Sequence, residues 1–210
     1  DDAEKQLIEI AKGYFSDAID KPTVRAFWWP RFKQIATWFI EQERKRRPDI
    51  KTVVTETMGK MVFDLPGGAF TLSARADRID QFSDGSLSII DYKTGKPPTL
   101  RSLKAGFEPQ LPLEAAIAIE GGFSLLPASV VSELSYWQLS GGEKAGSINL
   151  FNATKKIDVM AEAQNAYEGL INLVTTFDLV GTPYLNKPRP EAVGYGEYDH
   201  LARTKEWGEA

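Results

Sequence analysis

Four charged residues in the middle of the chain have the types and spacing needed for phosphodiester chemistry. Asp77 and Asp80 are followed by Asp91 and then, two residues later, by Lys93. Because side chains alternate along a strand, Asp91 and Lys93 lie on one face of any sheet that contains them. A carboxylate and an amine on one face, with a second carboxylate nearby, can hold a hard cation and stabilise charge on a phosphate.

The residues between these acids predict a β-hairpin. Residues 83–85 read Ser-Asp-Gly, which suits a three-residue loop with Gly85 in the left-handed third position. That register places Asp77 opposite Asp91 on the neighbouring strand. A two-residue loop would instead pair Asp77 with Tyr92 and move one carboxylate to the other face of the sheet.

Two facing aspartates predict a bound cation. Their Cβ atoms would lie about 4.5–5.5 Å apart, where like charges repel unless something positive lies between them. Mg²⁺ or Mn²⁺ prefers carboxylate, carbonyl and water oxygens. A purely structural role is also open, because an Asp-x-Lys triplet commonly lies on a solvated strand edge or forms an ion pair. Ile89 and Ile90 favour the functional interpretation, since they indicate a buried central strand. A charge in such a strand is costly unless it is paired or binds a metal ion.

The composition excludes several other classes of protein. With 42% hydrophobic and 26% charged residues among 210, the chain has the balance of a globular protein rather than a disordered one. It contains no cysteine and one histidine, His200, which excludes disulfides, thiolate zinc sites and iron–sulfur ligation. The net charge of −4 argues against binding to nucleic acid by bulk charge alone. No apolar run approaches the ~20 residues of a membrane span, so we expect a cytoplasmic protein.

Hydrophobic periodicity predicts the elements that must position these residues. Helices are expected over 2–19, from Trp28 to Pro48, over 109–120 and over 154–177. Strands are expected over 52–58, 60–65, 69–82, 86–94 and 130–139. This order predicts an α/β fold in which helices cover a mixed central sheet.

The chain is expected to form a single domain over 1–210. Residues 1–48 would be helical, 51–139 would form the sheet core with one helix, 154–180 a long helix and 181–210 a surface tail. Because the chain begins at Asp1 without a methionine, we expect it to be a piece of a longer one.

Three motifs in this order resemble the RecB-type branch of the PD-(D/E)XK nucleases. They read Asp-Arg-Ile-Asp at 77–80, Ile-Asp-Tyr-Lys-Thr-Gly at 90–95 and Gln-Leu-Pro-Leu at 110–113. Within that branch the sequence is similar to the C-terminal nuclease domains of AddB-type subunits, which belong to helicase–nucleases that process double-strand breaks. The resemblance implies a restriction-endonuclease-like core and a Mg²⁺- or Mn²⁺-dependent deoxyribonuclease. A single strand of DNA would be delivered to it by a helicase–nuclease partner subunit.

The resemblance also implies roles for individual residues. Catalytic residues would be Asp77, Asp91, Lys93 and Gln110, with Asp77, Asp91 and the backbone carbonyl of Tyr92 as metal ligands. Phosphate contacts are expected from Arg75, Lys96, Arg101 and Lys104, which gives salt-dependent rather than sequence-specific binding. Two weaker candidates for a further carboxylate ligand are Glu56 and Glu114.

The sequence departs from this family in two respects. The RecB branch often carries a metal-binding histidine on a helix before the strands, and no histidine lies between Asp1 and Asp77. Either that helix precedes Asp1 or the site works without it. Many AddB relatives also hold an iron–sulfur cluster through four cysteines, and without cysteine we expect no such cluster here.

Two other functions remain open on the sequence alone. One is a non-catalytic module of the same fold that scaffolds a motor subunit or guides its DNA. The other is a sheet-based protein-interaction domain whose acids form ordinary ion pairs.

The basic residues 44–47 suit a solvated helix end, whose cations complement the helix dipole. The spacing of Trp28, Trp29 and Trp38 beside other aromatic residues favours a place in the core over base stacking.

Overall fold

The computed structural model describes residues 2–151 and 157–184. Asp1, residues 152–156 and residues 185–210 lie outside the described part, and with them most of the expected surface tail and His200. The helices are α1 (Asp2–Phe15), α2 (Trp29–Arg46), α3 (Leu100–Lys104), α4 (Gln110–Ile119) and α5 (Val159–Asp178). None of the helices in the described part is both long and apolar enough to cross a membrane.

The segment between α1 and α2 is less regular than the sequence predicts. The first helix ends at Phe15 rather than near residue 19, and a 3-10 turn follows over Ser16–Asp20. Ser16 has a φ of 41°, a left-handed conformation that an α-helix cannot continue through. A π-helical turn over Val24–Trp28 then leads into α2.

Five strands form one mixed sheet. They are β1 (Ile50–Leu65), β2 (Gly68–Phe82), β3 (Leu87–Lys93), β4 (Val131–Leu139) and β5 (Gly146–Leu150). Their spatial order is the chain order, and every neighbouring pair is antiparallel except β3 and β4, which are parallel. A parallel pair needs a crossover connection, and α3 and α4 lie in that connection. This arrangement confirms the predicted mixed sheet flanked by helices.

The central strand β3 is buried on both faces, as its sequence predicts. Leu87, Ile89 and Ile90 are fully buried. Helices α4 and α5 pack together on one face of the sheet, where Leu111 and Ile117 are also fully buried. Burial of apolar side chains of this size contributes about 1.5–3 kcal/mol each, so this layer fixes α4 against the strands.

Helix α2 covers the opposite face of the sheet. Trp38 and Phe39 each make an edge contact with the ring of Trp137 on β4, with ring centroids 5.8 Å apart. Trp137 is fully buried, so the two sides of β4 belong to two separate cores. Side chains of β3 therefore face α4 at odd positions such as Asp91 and α2 at even positions such as Tyr92.

The predicted break at Gly59 is wrong, because β1 runs without interruption from Ile50 to Leu65. Glycine is required at this position by close packing instead. A Cβ atom at Gly59 would lie 2.5 Å from the ring of Phe123 and 2.8 Å from Ile117, so only glycine lets these side chains reach the strand. Strand β5 and helix α3 are further elements that the sequence analysis did not predict.

A buried ionic network joins α2 to the sheet. Arg78 on β2 donates to both carboxylate oxygens of Asp80, at 2.6 and 3.0 Å, and its guanidinium also binds both oxygens of Glu43 on α2. Arg78 is 3% exposed and Asp80 is fully buried. Burial alone lowers the pKa of Arg78, but the hydrogen bonds to Glu43 and Asp80 outweigh it and the net pKa is raised. The arginine therefore stays charged.

Arg46 departs from the expectation that the basic residues 44–47 form a solvated helix end, whereas the other three residues of the cluster are exposed as expected. Its guanidinium donates to Glu133 at 3.2 Å, to Ser88 at 3.2 Å and to Asp80 at 3.4 Å. Less than a fifth of its side chain is exposed. The partners come from β2, β3 and β4, so Arg46 closes the network across three strands.

Candidate active site

The hairpin between β2 and β3 has the predicted register. Gly85 has a φ of 88°, and the Phe82 N–H donates to the carbonyl of Ser86 at 2.8 Å, which closes the three-residue loop. The ladder pairs Ile79 with Ile89 and continues to Arg78 and Ile90. The two-residue alternative is therefore wrong.

Asp77 comes opposite Asp91 one step further along this register. At that point the strand ladder gives way to a side-chain contact. The carboxylate of Asp77 accepts a hydrogen bond from the backbone N–H of Tyr92 at 2.9 Å. This contact fixes the orientation of Asp77 next to β3, at the point where its neighbour Asp91 lies.

Lys93 and Asp91 form a close ion pair on the α4 face of β3. The Lys93 ammonium lies 3.0 Å from Oδ1 and 2.9 Å from Oδ2 of Asp91. Asp91 is 2% exposed, whereas a third of the Lys93 side chain remains accessible. Burial raises the pKa of Asp91, Lys93 opposes this, and the charge of Asp77 raises it further. The pair is thus a buried carboxylate with an amine that reaches solvent.

The N-terminus of α4 supplies an amide and a second buried carboxyl group. Gln110 Nε2 donates to Asp91 Oδ1 at 2.8 Å and to Glu114 Oε1 at 3.2 Å, as the i, i+4 spacing on one helix face allows. Glu114 is 3% exposed, and its Oε2 has no hydrogen-bond partner among the described residues. Burial, together with the charges of Asp91 and Asp77, raises the pKa of Glu114 to about 7.

Comparison with known proteins places this arrangement in a family. Residues 2–188 match the PD-(D/E)XK nuclease superfamily. The chain belongs to that superfamily. Membership indicates a hydrolase that acts on nucleic acid. The mixed five-stranded sheet flanked by helices is consistent with the fold of that superfamily.

Relatives of this superfamily member occur in Rickettsia. An uncharacterized protein of Rickettsia conorii is 28% identical over 123 residues, and another of Rickettsia felis is 28% identical over 124 residues. Each match covers 59% of this chain but only 15% and 14% of the relative, so the chain spans a small part of their length. A solved structure, that of SSO0001, aligns over 81% of this chain and 74% of its own, with 12% identity and a TM-score of 0.35.

The carboxylates of this candidate site offer the oxygen donors that a hard divalent cation prefers. Within residues 2–151 and 157–184, no three acidic or histidine side chains are grouped closely enough to coordinate one ion by themselves. Mg²⁺ needs fewer, because it is usually held by one or two carboxylates together with waters and phosphate oxygens. Two observations fit such an ion: burial, together with the charge of Asp77, raises the pKa of Asp91, and the buried Glu114 Oε2 has no partner among the described residues.

The carboxylate of Glu56 pairs with an arginine and has no described hydrogen bond to the groups of the candidate site. It is opposite Asp77 in the β1–β2 register, between the pairs on either side, and has a φ of 51°, which is strained for a residue other than glycine. Its carboxylate lies 2.8 Å from the guanidinium of Arg75, and about 60% of each side chain is exposed. The two residues expected to act as metal ligand and phosphate contact therefore pair with each other.

The other expected phosphate contacts lie on the surface beyond β3. Lys96 is exposed in the loop that follows the strand, and Arg101 and Lys104 are exposed on α3. This loop is linked to β4 because Gln138 Nε2 donates to the carbonyl of Gly95 at 3.0 Å. The positions are compatible with a phosphate backbone arriving at the site, and the role itself stays a prediction, as does that of the Tyr92 carbonyl.

Tyr136 is a site neighbour that the sequence analysis missed. It pairs with Asp91 in the β3–β4 register and lies under Lys93, with the ammonium 5.5 Å from its ring centroid. Burial and then the charge of Asp91 raise the pKa of Tyr136. The only available signal was the apolar run of β4, which suggested a strand but not its parallel pairing with β3.

The raised pKa of Glu114 predicts a pH-dependent stability for the metal-free protein. Between about 4.5 and about 7 the folded state holds a proton that the unfolded state has released, so stability falls as the pH rises through this window. In the unaltered chain the free energy of unfolding should fall by up to roughly 3 kcal/mol across this window, and we expect Glu114→Gln to abolish that fall. Urea unfolding in EDTA at pH 5 and pH 8 measures this.

Glu120→Gln is the matched control for this experiment, because Glu120 is exposed just past the end of the same helix. It should show the same difference in stability between pH 5 and pH 8 as the unaltered chain. If Glu114→Gln also keeps that difference, Glu114 does not titrate in the way its burial implies.

Proposed function

We propose that this chain is a divalent-metal-dependent deoxyribonuclease of the RecB type. The observation that supports this most directly is the buried Asp91, bound by the Lys93 ammonium and by Gln110, next to a second aspartate at Asp77. Two carboxylates and an amine on adjoining strands are the groups that phosphodiester hydrolysis requires. The resemblance of the three motifs to AddB-type nuclease domains supports the same assignment.

Asp77 and Asp91 would hold Mg²⁺ or Mn²⁺ together with waters and phosphate oxygens. When bound, the cation lowers the pKa of a water and offsets the negative charge that develops on the phosphate. The carboxylates can bind it without losing their present contacts, because each carboxylate oxygen has two lone pairs. Gln110 fixes the orientation of Asp91 through its 2.8 Å hydrogen bond.

Lys93 stabilises charge on the phosphate. An ammonium has three N–H donors, and the side chain is one-third exposed, so it can bind Asp91 and a phosphate oxygen together. The ring of Tyr136 supports it from below at 5.5 Å, a distance typical of a cation–π contact. The ammonium is therefore held in place before substrate arrives, which is what makes such stabilisation effective.

The substrate is proposed to be DNA, presented as a single strand by a helicase partner in the cytoplasm. Lys96, Arg101 and Lys104 would contact its phosphates, and Arg75 would join them once released from Glu56. The acidic net charge suits this arrangement, since a motor subunit would then supply most of the DNA affinity. The single-domain organisation of residues 1–210 is part of the same proposal.

Cleavage and metal binding together test this function. We expect the chain to cut a labelled single-stranded oligonucleotide in Mg²⁺ or Mn²⁺, and not in EDTA. Asp91→Asn should lose calorimetric Mn²⁺ binding and reduce cleavage at least ~100-fold. Asp64→Asn makes the same chemical change at an exposed site on β1 and should leave both unchanged.

Two outcomes would overturn the proposal. If the chain binds Mn²⁺ but cuts neither single-stranded nor duplex DNA, it is a non-catalytic module of this fold. If it binds neither Mn²⁺ nor Mg²⁺, the acids are ordinary ion pairs and the protein-interaction alternative holds.

A further inference from the structure

The segment from Lys21 to Ile40 is basic and aromatic in an otherwise acidic chain. Its four charged residues, Lys21, Arg25, Arg31 and Lys33, are all cations. It also contains six of the aromatic residues: Phe27, Trp28, Trp29, Phe32, Trp38 and Phe39. This composition differs from that of the whole chain, whose acidic residues outnumber the basic ones by 29 to 25.

The aromatic residues of this segment divide into two groups. Trp29 is 9% exposed and stacks on Phe32, and Trp38 packs against the core. By contrast, Phe27 is 65% and Trp28 is 57% exposed. The expectation that all three tryptophans belong to the core is therefore wrong for Trp28. Core packing accounts for the first group and leaves Phe27 and Trp28 unexplained.

Two cations flank these exposed rings. The Arg31 guanidinium lies 6.0 Å from the ring centroid of Trp28, and Arg25 is exposed three residues before it. Phe27 and Trp28 end the π-helical turn Val24–Trp28, a rare conformation found frequently at functional sites. We call Arg25, Phe27, Trp28 and Arg31 the Trp28 surface.

The Trp28 surface and the candidate active site lie at the same end of the sheet but on opposite faces, because α2 packs on Trp137 and α4 packs on Asp91. Gly141, just after β4, approaches the backbone of Arg31 so closely that a Cβ atom there would lie 2.6 Å from its carbonyl oxygen. Because β3 and β4 are parallel, Gly141 lies beyond the same strand end as Lys93. Tyr136 pairs with Asp91, and five further residues to Gly141 span roughly 15 Å.

We propose that the Trp28 surface binds single-stranded nucleic acid, which passes over the strand ends to reach the active site on the other face of the sheet. Bases would stack on Trp28 and Phe27, while Arg25 and Arg31 would contact the backbone phosphates. Exposed aromatic rings interleaved with cations are the recognised means of binding a single strand without sequence preference. Duplex DNA keeps its bases stacked inside, so the surface selects single strands. This inference rests on the proposed function for its substrate and adds the place where that substrate docks.

Equilibrium binding in EDTA tests the inference separately from cleavage. The probe is a fluorescein-labelled oligothymidylate, measured by anisotropy with the full chain. Trp28→Ala should weaken binding by about fivefold or more, the loss of one stacked base, and Trp28→Phe should restore most of it. Affinity for a duplex of the same length should change less than twofold.

The matched control is Tyr184→Ala, which removes another exposed ring beyond the far end of α5 and should leave binding unchanged. Equal affinity of Trp28→Ala and the unaltered chain for the oligonucleotide would overturn the inference. The inference would also be overturned if sedimentation showed that the unaltered chain self-associates and that Trp28→Ala is monomeric. The surface would then bind a second copy of the chain. Absence of cleavage with intact Trp28-dependent binding would instead refute only the proposed function.

Discussion

Replacing Lys93 by methionine is expected to reduce DNA cleavage by about 10²- to 10³-fold while Mn²⁺ binding persists at pH 8. Methionine keeps most of the apolar stem that lies over Tyr136 but removes the ammonium that faces Asp91. Stabilisation of the phosphate charge is lost, whereas the carboxylates remain. Single-turnover cleavage of an oligonucleotide, with calorimetry of Mn²⁺ binding, separates the two effects.

The pH of that experiment matters because Lys93 also acts on Asp91. Its hydrogen bond and charge lower the pKa of a carboxyl group that burial raises. Without the ammonium, Asp91 protonates more readily as the pH falls, so binding of Mn²⁺ by Lys93→Met should weaken at acidic pH sooner than binding by the unaltered chain. This effect is smallest at alkaline pH, so the measurement at pH 8 reports mainly the lysine's own contribution.

Lys60→Met is the control, since Lys60 is an exposed lysine on β1. It should cut and bind Mn²⁺ like the unaltered chain. Full activity of Lys93→Met would remove Lys93 from the chemistry and leave it as a structural ion-pair partner. Loss of both Mn²⁺ binding and cleavage at pH 8 would show that Lys93 acts through Asp91 instead.

The part of the site that the sequence predicts is the part fixed by local rules. Gly85 at the third loop position sets the hairpin, and the hairpin register alone brings Asp77 next to Asp91. The alternation of a strand then places Lys93 on the face of Asp91. Each step depends on residues fewer than twenty positions apart, so turn chemistry and strand geometry are sufficient.

The features that the sequence does not predict depend on contacts between distant segments. Gly59 looks like a strand break because its reason, the ring of Phe123, lies more than sixty residues away. Tyr136 joins the site only through the parallel pairing of β3 and β4. Arg46 looks like a solvated cation until β2, β3 and β4 bring its three partners to it.

The charged residues on the two faces of the hairpin differ in their access to solvent. On the α4 face, Asp91 and Lys93 are only partly neutralised and one of them reaches solvent. On the α2 face, Arg78 and Asp80 are buried, satisfied by each other and by Glu43, and closed from solvent. Period-2 alternation in adjoining strands thus places one ion pair that reaches solvent and one that is closed from it in almost the same stretch of sequence.

Replacing Arg78 by methionine is therefore expected to destabilise the fold by about 3–5 kcal/mol without altering the chemistry of the site. The substitution leaves Asp80 fully buried, with Arg46 at 3.4 Å as its remaining described cation. Removing one partner of a buried ion pair typically destabilises a protein by this amount, whereas replacing both partners with apolar residues does not. The double variant Arg78→Met, Asp80→Leu should recover at least half of the loss.

Urea unfolding measures both Arg78 variants, with Arg75→Met as the control on the other face of the same strand. Arg75 also forms an ion pair, with Glu56, but more than half of each side chain is exposed, so its loss should cost less than about 1 kcal/mol. Equal destabilisation by Arg78→Met and Arg75→Met would contradict the assignment, because burial would then not decide the energy of the pair.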